Sequence, residues 1–174
     1  REIAQEHSSM NMLINNADIT HRYLFEKTDA LEKTMTQEWK TNYLAPVLLV
    51  KQFLPLLIKN RGTIVNVTSG LVFAPLVIEP NYCATKAALH SITQSLRYQL
   101  RDKGVKVKEI FYPAVDTPFQ DGHAPSFAIQ PDQAAMTALK GLERGKDEIH
   151  VKKAKILYQI SRLMPQKAVS LINR

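Results

Sequence analysis

Cysteine is nearly missing from this 174-residue chain. Cys83 stands alone, which excludes an internal disulfide and any zinc site built on several thiolates. The five histidines, at 7, 21, 90, 123 and 150, fall into neither HExxH nor HxH spacing, so no resident metal is expected. Glycine is scarce too, with six residues and no cluster of the kind that cradles phosphates at a helix N-terminus. Long apolar runs are also lacking. The most apolar stretch, Leu44 to Ile58, contains Pro46, Lys51, Gln52 and Pro55 and is shorter than a bilayer span, so a buried helix is expected there. Arg1 to His7 carries no signal-peptide core and no initiating Met, so the chain is expected to begin inside a longer protein.

What is present reads as one globular domain over residues 1–174. Hydrophobic residues make up 45% and charged ones 22%, close to the balance of a folded soluble domain and far from that of a disordered chain. The net charge of +7 is placed unevenly. Residues 140–174 hold nine basic and three acidic side chains, giving +6 and leaving +1 for the rest. Within that tail, residues 152–174 read as a basic amphipathic segment, with apolar positions 156, 157, 160, 163 and 164 at helical spacing, a break near Pro165, and a resumption through Ala168 to Ile172.

Strand and helix signals alternate. Met10 to Ile14 is a short apolar run emptying into Asn15-Asn-Ala-Asp18, and Gly62 to Gly70 is a β-branched run bounded by glycines; both read as buried strands. Residues around 36–59 are apolar on nearly every face, as suits a helix between a sheet and a second packed surface. A helical pattern runs from Tyr82 to about Arg101, with Ala84, Ala87, Ala88, Ile92 and Leu96 on one side and Gly104 placed to stop it. Val105 to Phe111 reads as a third strand, Gln130 to about Leu142 as another helix, and Glu148 to Val151 as a fourth strand. The expected fold class is therefore α/β, with βαβ units around a parallel sheet covered on both faces.

Ligands of open parallel sheets bind beyond the carboxyl ends of the strands. Asn15 to Asp18, Ser69, and Tyr112 to Thr117 occupy those ends. Tyr82 and Lys86, four apart at a helix start, emerge on one helical face, and Ser69 precedes them by thirteen residues at a strand end. A phenol beside an ammonium has its anion favoured, and a serine hydroxyl can hold a carbonyl or alcohol oxygen, so the three together suit proton transfer at a substrate oxygen. Tyr-x-x-x-Lys arises readily by chance; its weight here comes from order, spacing and placement.

On these residues the chain resembles the short-chain dehydrogenase/reductase family. Leu13-Ile-Asn-Asn-Ala-Asp18 is similar to its Asn-Asn-Ala-Gly strand, Ile64-Val-Asn-Val-Thr-Ser69 to its serine strand, Tyr82-Cys-Ala-Thr-Lys86 to its catalytic helix, and Val115-Asp-Thr117 to the end of its Pro-Gly-x-Val-x-Thr motif. Asn42 matches the helix asparagine of the family's Asn-Ser-Tyr-Lys tetrad. The tail Gly141 to Ile149 looks most like oxidoreductases associated with D-alanyl lipoteichoic acid operons.

The resemblance implies a doubly wound, Rossmann-like sheet here missing its first strands, and NAD or NADP as cofactor. It implies Tyr82 as general acid/base, Lys86 lowering its pKa and holding the nicotinamide ribose, Ser69 orienting the substrate, and Asn42 holding a helix kink and a relay water. Asn15, Ala17, Val115 and Thr117, with Tyr82 and Lys86, would meet the cofactor. A homodimer or homotetramer in the cytoplasm is implied as well.

The chain also departs from the family. The Gly-rich turn is absent, and roughly seventy residues of the first βαβ half fall outside the sequence. Asp18 replaces the motif's glycine, Tyr112 and Pro113 replace Pro-Gly, and the intervals from Trp39 to Asn42 and from Phe119 to Gln130 are short. The alternative reading is a truncated, non-catalytic remnant acting through helix-mediated oligomerisation. No nucleic-acid partner is expected, because no aromatic platform accompanies the tail's charge. Contact of the tail with a membrane surface is the further expectation carried by its amphipathicity. For the substrate, a small-molecule alcohol or ketone, Phe119, His123, Phe127, Tyr158 and Met164 form an apolar set compatible with a bulky or lipid-like molecule and equally with core.

Overall fold

The computed structural model describes residues 6–29 and 31–174. Four strands, β1 (Met12–Asn15), β2 (Thr63–Ser69), β3 (Lys106–Tyr112) and β4 (Glu148–His150), form one parallel sheet in the order β1-β2-β3-β4. A continuous helix joins β1 to β2: α1 (Leu31–Glu38), a π-helical segment (Trp39–Leu44) and α2 (Ala45–Lys59). Helix α3 (Pro80–Gln99) joins β2 to β3, and α4 (Pro131–Glu143) joins β3 to β4. The tail forms α5 (Lys153–Leu163) and α6 (Pro165–Ile172), the break falling at Pro165, whose ring has no N–H to continue a helix.

Alternation along β2 and β3 assigns the two faces. Ile64 and Val107 meet Val50, Phe53 and Leu57 of α2, while Val65, Val67 and Ile110 meet Ala138 of α4 together with Ile149 and Val151. Helices thus cover both faces, as a parallel sheet requires. Gly141 is the contact point of α4 on β4, where a Cβ would meet Ile149 Cγ2 at 2.6 Å. Gly104 takes φ +73°, the left-handed conformation that ends the turn after α3.

Four expectations need correction. β1 is less buried than its apolar run suggests: as the outermost strand described, it leaves Met12 45% and Ile14 52% exposed, and only Asn15 is buried. The helix containing Leu44 to Ile58 extends over Leu31–Lys59, long and apolar enough by length and composition to cross a membrane; its Val50, Phe53 and Leu57 side nevertheless builds the core on the sheet. Its outer side, with Leu44, Leu48 and Leu49, is exposed. In α3 the alanine side is not the inner one. Ala84 and Ala87 are exposed, and the sheet-facing side carries Tyr82, Thr85, Lys86, Leu89 and Thr93. That polar side can be buried because each group has a partner: Thr85 Oγ1 donates to the Tyr82 carbonyl, Thr93 Oγ1 to the Leu89 carbonyl, and Lys86 Nζ to the Val67 carbonyl.

A second polar cluster lies between α3 and β3. Glu109 is fully buried; Thr68 Oγ1 donates to its Oε1 at 2.8 Å, and His90 Nδ1 lies 2.9 Å from its Oε2. Hydrogen bonding to Glu109 raises the His90 pKa above its ordinary 6.5, against the opposing effect of burial. A histidine held protonated in the fold contributes stability that is complete below the unfolded value and fades as pH rises through the raised one. The stability gap between wild type and His90→Gln, read from urea midpoints, is therefore expected to be widest below about pH 6 and to narrow as pH rises past neutrality. A gap independent of pH contradicts the pairing. His150, stacked on Phe111 with ring centroids 4.5 Å apart, has the opposite sign, because burial lowers its pKa.

Candidate active site

The site forms where β1 and β2 end and α3 begins. Pro80 opens α3 with a ring already set to helical φ, and the next turn delivers Tyr82 and Lys86 to the sheet-facing side. Lys86 is 1% exposed. Its ammonium donates to the Val67 carbonyl at 3.0 Å and to Asp18 Oδ2 at 2.6 Å, and it lies 5.6 Å from the Tyr82 ring centroid. The Tyr82 hydroxyl donates to the same Asp18 Oδ2 at 3.3 Å, and Phe119 packs 5.7 Å from the Tyr82 ring.

Burial raises the Tyr82 pKa well above the ordinary 10.0, and the Asp18 carboxylate, then Glu79, push the same way. Burial lowers the Lys86 pKa, with Asp18 opposing. Cys83, between the two, is a buried thiol pushed up to about 11 chiefly by burial, which makes it a poor nucleophile.

Asn42 lies in the π-helical segment and is buried. Its Nδ2 donates to the Ile19 carbonyl at 2.8 Å and its Oδ1 accepts from the Ile19 N–H at 2.9 Å, so one side chain pins the loop after β1. The same Nδ2 reaches Thr85 Oγ1 at 3.2 Å, linking that loop to α3. Asn15 belongs to a buried ladder across the sheet, donating to Asn66 Oδ1 while Asn66 donates to Thr93 Oγ1, both at 2.8 Å. The Asn15 side-chain Oδ1 is buried without a partner among the described residues. Ser69 ends β2, where its Oγ accepts from the Leu71 N–H at 3.1 Å and reaches the Tyr112 carbonyl at 3.5 Å; among the described residues its hydrogen bonds go to backbone and not to Tyr82. Ala17 is exposed after β1, and Val115 and Thr117 are half-buried after β3, where Val115 bridges Ile129.

The structure does not bring the suggested apolar substrate set together. Phe119 meets Tyr82 and shares a cavity with His123, but Tyr158 packs edge-on and tilted against Phe73 and His150, Phe127 lies under Lys153, and Met164 is at the break between α5 and α6. Beside Phe119 is instead a polar cavity of about 330 Å³, lined by Thr20, His21, Arg22, Tyr23, Gln120 and His123 among others. Glu38 is its hidden support, and sequence reasoning missed it. Fully buried, Glu38 accepts from the His21 N–H at 2.6 Å, lies 3.0 Å from His21 Nδ1, and accepts from Asn81 Nδ2 at 2.6 Å. Glu38 follows Thr36 and Gln37 and precedes Lys40, so its polar surroundings in the sequence give no signal that it is buried.

A parallel sheet with helices on both faces and a Tyr-Lys pair at its carboxyl edge defines a Rossmann-like α/β protein. The family profile described as short chain dehydrogenase matches residues 1–126, and the chain belongs to that family. It is 41% identical over 151 residues to the uncharacterized oxidoreductase DltE of Bacillus subtilis (strain 168), covering 83% of this chain and 60% of that protein. It is 32% identical over 125 residues to an NADPH-dependent 1-acyldihydroxyacetone phosphate reductase of Schizosaccharomyces pombe, covering 69% of this chain and 42% of that one. A short chain dehydrogenase from Burkholderia cenocepacia J2315, solved in complex with NADP, superposes with a TM-score of 0.89 at 26% identity, covering 98% of this chain and 72% of that one. The chain thus spans 60% or less of the length of the two curated relatives named here.

Proposed function

We propose that this chain is the catalytic part of an NAD(P)-dependent oxidoreductase that interconverts a hydroxyl and a carbonyl group on a small molecule. The observation that carries the reading is the Tyr82–Lys86 pair on the buried side of α3, both groups meeting at one point beyond the carboxyl end of β1. Tyr82 would exchange the proton with the substrate oxygen, Ser69 would orient that oxygen, and Asn42 would hold the π-helical turn and the adjoining loop and position a relay water. The residue set fits the nicotinamide–ribose half of a dinucleotide: a buried ammonium at Lys86 suited to ribose hydroxyls, the Asn15 side-chain Oδ1 unpartnered among the described residues, Ala17 after β1, and the segment Val115 to Thr117 after β3. A bound NAD(H) or NADP(H) supplies or accepts the hydride. The relative named as an NADPH-dependent reductase and the structural neighbour holding NADP support NADP as the form tested first.

The chain is read as one domain over 1–174, with the 152–174 tail as an integral part of it. Ala154 and Leu157 of α5 and Ala168 of α6 are buried, and Asn173 accepts from the Val77 N–H at 2.7 Å and donates to the Pro75 carbonyl at 2.9 Å. This packing supports a structural role for the tail more than a membrane-surface role, and it accords with a cytoplasmic enzyme. The exposed Leu44, at the end of the π-helical segment, and Leu48 and Leu49 on the outer side of α2 support assembly into a homodimer or homotetramer. Titration of the gene-encoded protein with NADPH and NADH, followed by nicotinamide fluorescence, is expected to give saturable binding of one or both; absence of binding to either supports the non-catalytic oligomer instead.

A further inference from the structure

Asp18 stands where the family resemblance calls for glycine, and its carboxylate lies at the centre of the site. We infer that Asp18 is a positioning residue that engages the Lys86 ammonium and the Tyr82 hydroxyl together, holding Tyr82 in its proton-donating form, the form a carbonyl substrate needs. The inference rests on the oxidoreductase reading above and adds to it the resting protonation state of Tyr82.

Three geometric facts carry it. Lys86 Nζ lies 2.6 Å from Asp18 Oδ2, so its charge is balanced by a carboxylate in direct contact. The Tyr82 oxygen lies 3.3 Å from that same Oδ2, so loss of the phenol proton would leave two anionic oxygens facing each other with no proton between them. The Lys86 ammonium is also held by the Val67 carbonyl and is 1% exposed, which leaves it little freedom to move from Asp18 toward Tyr82.

The other charged groups around the pair do not reverse this. Glu79 and Cys83 lie on α3 itself, Glu79 is paired with Arg22 at 2.7 Å, and Glu109 reaches Lys86 from β3 while bound to His90. Burial and the carboxylates around Tyr82 all favour its protonated form.

The consequence lies in the pH dependence. In reduction, the carbonyl carbon takes a hydride, with its two electrons, from a reduced nicotinamide, which becomes oxidised, and the carbonyl oxygen takes the Tyr82 proton. The oxygen becoming an alkoxide is a far stronger base than a phenolate, so that proton transfer still runs downhill. Oxidation needs Tyr82 already deprotonated, so Asp18 moves its rise with pH to more alkaline values and leaves the equilibrium between the two directions unchanged.

The test reads Tyr82 directly, in the gene-encoded protein labelled with tyrosine carrying ¹³C at Cζ. Tyr82's resonance is assigned by its loss in Tyr82→Phe, and its midpoint is followed with pH in wild type, Asp18→Asn and Asp18→Gly. Asp18→Asn keeps the side chain's shape, and Asp18→Gly restores the family residue, so a folding failure in one leaves the other. The wild-type midpoint is expected above 10.0, and both variants are expected to lower it by about one pH unit or more, a tenfold weaker hold on the proton. An unmoved midpoint in folded variants overturns the role of Asp18, and does so without touching the oxidoreductase reading if the protein still binds nicotinamide. A lowered midpoint in a protein that binds neither NADPH nor NADH keeps the contact but overturns the catalytic role drawn from it, together with the reading beneath it.

Discussion

Tyr82→Phe is expected to lower turnover by about two to four orders of magnitude while leaving nicotinamide affinity within a few-fold of wild type. The substitution removes one hydroxyl and little else. The phenyl ring keeps its place against Phe119, and Asp18 keeps its ion pair with Lys86, so the buried ammonium is not left uncompensated. What is lost is the one acidic proton positioned at the substrate end of α3. Neighbouring groups are poorly suited to replace it: Ser69 is tied to backbone, and the Cys83 thiol is buried with its pKa at about 11. Steady-state rates and fluorescence titration on the same preparations separate the two effects. Retained turnover contradicts the assignment of Tyr82, and lost binding shows that the side chain holds the cofactor instead of the proton.

The largest effect on stability is expected at a residue outside the tetrad. Glu38→Ala removes an acceptor that serves the His21 N–H, the His21 ring and Asn81 Nδ2 from a position with no solvent access. Each buried donor left without a partner costs on the order of 1–3 kcal/mol, so a loss of about 3 kcal/mol or more in urea unfolding is expected. Catalysis should suffer too, because the loop that Glu38 pins at His21 also carries Asp18 and Ile19, and Ile19 is the backbone partner of Asn42. Glu38→Gln, which keeps the shape and one acceptor oxygen, is expected to recover part of the loss. A change under about 1 kcal/mol for Glu38→Ala would mean that the loop holds its shape by other means.

Much of the fold is legible because it rests on local rules. The β-branched run Thr63 to Ser69 can only be a buried strand, Gly104 adopts the left-handed turn that its position suggests, and the spacing of Tyr82 and Lys86 puts both on one face of α3. Helix α3 shows where such rules stop. Its alanines suggest an inner side, yet the inner side is the one bearing Thr85, Lys86 and Thr93, because backbone carbonyls and asparagines of neighbouring elements satisfy those groups. Periodicity reports apolarity and not the partners that make polar burial affordable. Exposure on the outer side of α2 and along β1 is set by which surfaces have neighbours, a tertiary fact that no window of sequence carries.

The site divides the same way. The candidate residues were legible as a motif, but their electrostatics were not, since the effect of Lys86 on Tyr82 depends on a third group sixty-four positions from Tyr82. Asp18 was visible as a departure from the family's glycine. Only the path of the loop, pinned by Asn42 at Ile19 and Glu38 at His21, delivers its carboxylate to the ammonium. The polar cavity beside Phe119 is likewise a product of that loop, which is why the apolar residues gathered from the sequence do not line one pocket.

The central claim is that this chain carries the proton-transfer half of a nicotinamide-dependent hydride transfer. Deuterium tracing tests it most directly: NADPH deuterated at C4, on either face in separate runs, is incubated with the gene-encoded protein and a panel of aldehydes and ketones, and the alcohol products are read by mass. The account predicts deuterium on the carbinol carbon from one face only, with wild-type protein and not with Tyr82→Phe. Products without deuterium from either face, or equal labelling with wild type and Tyr82→Phe, would contradict it.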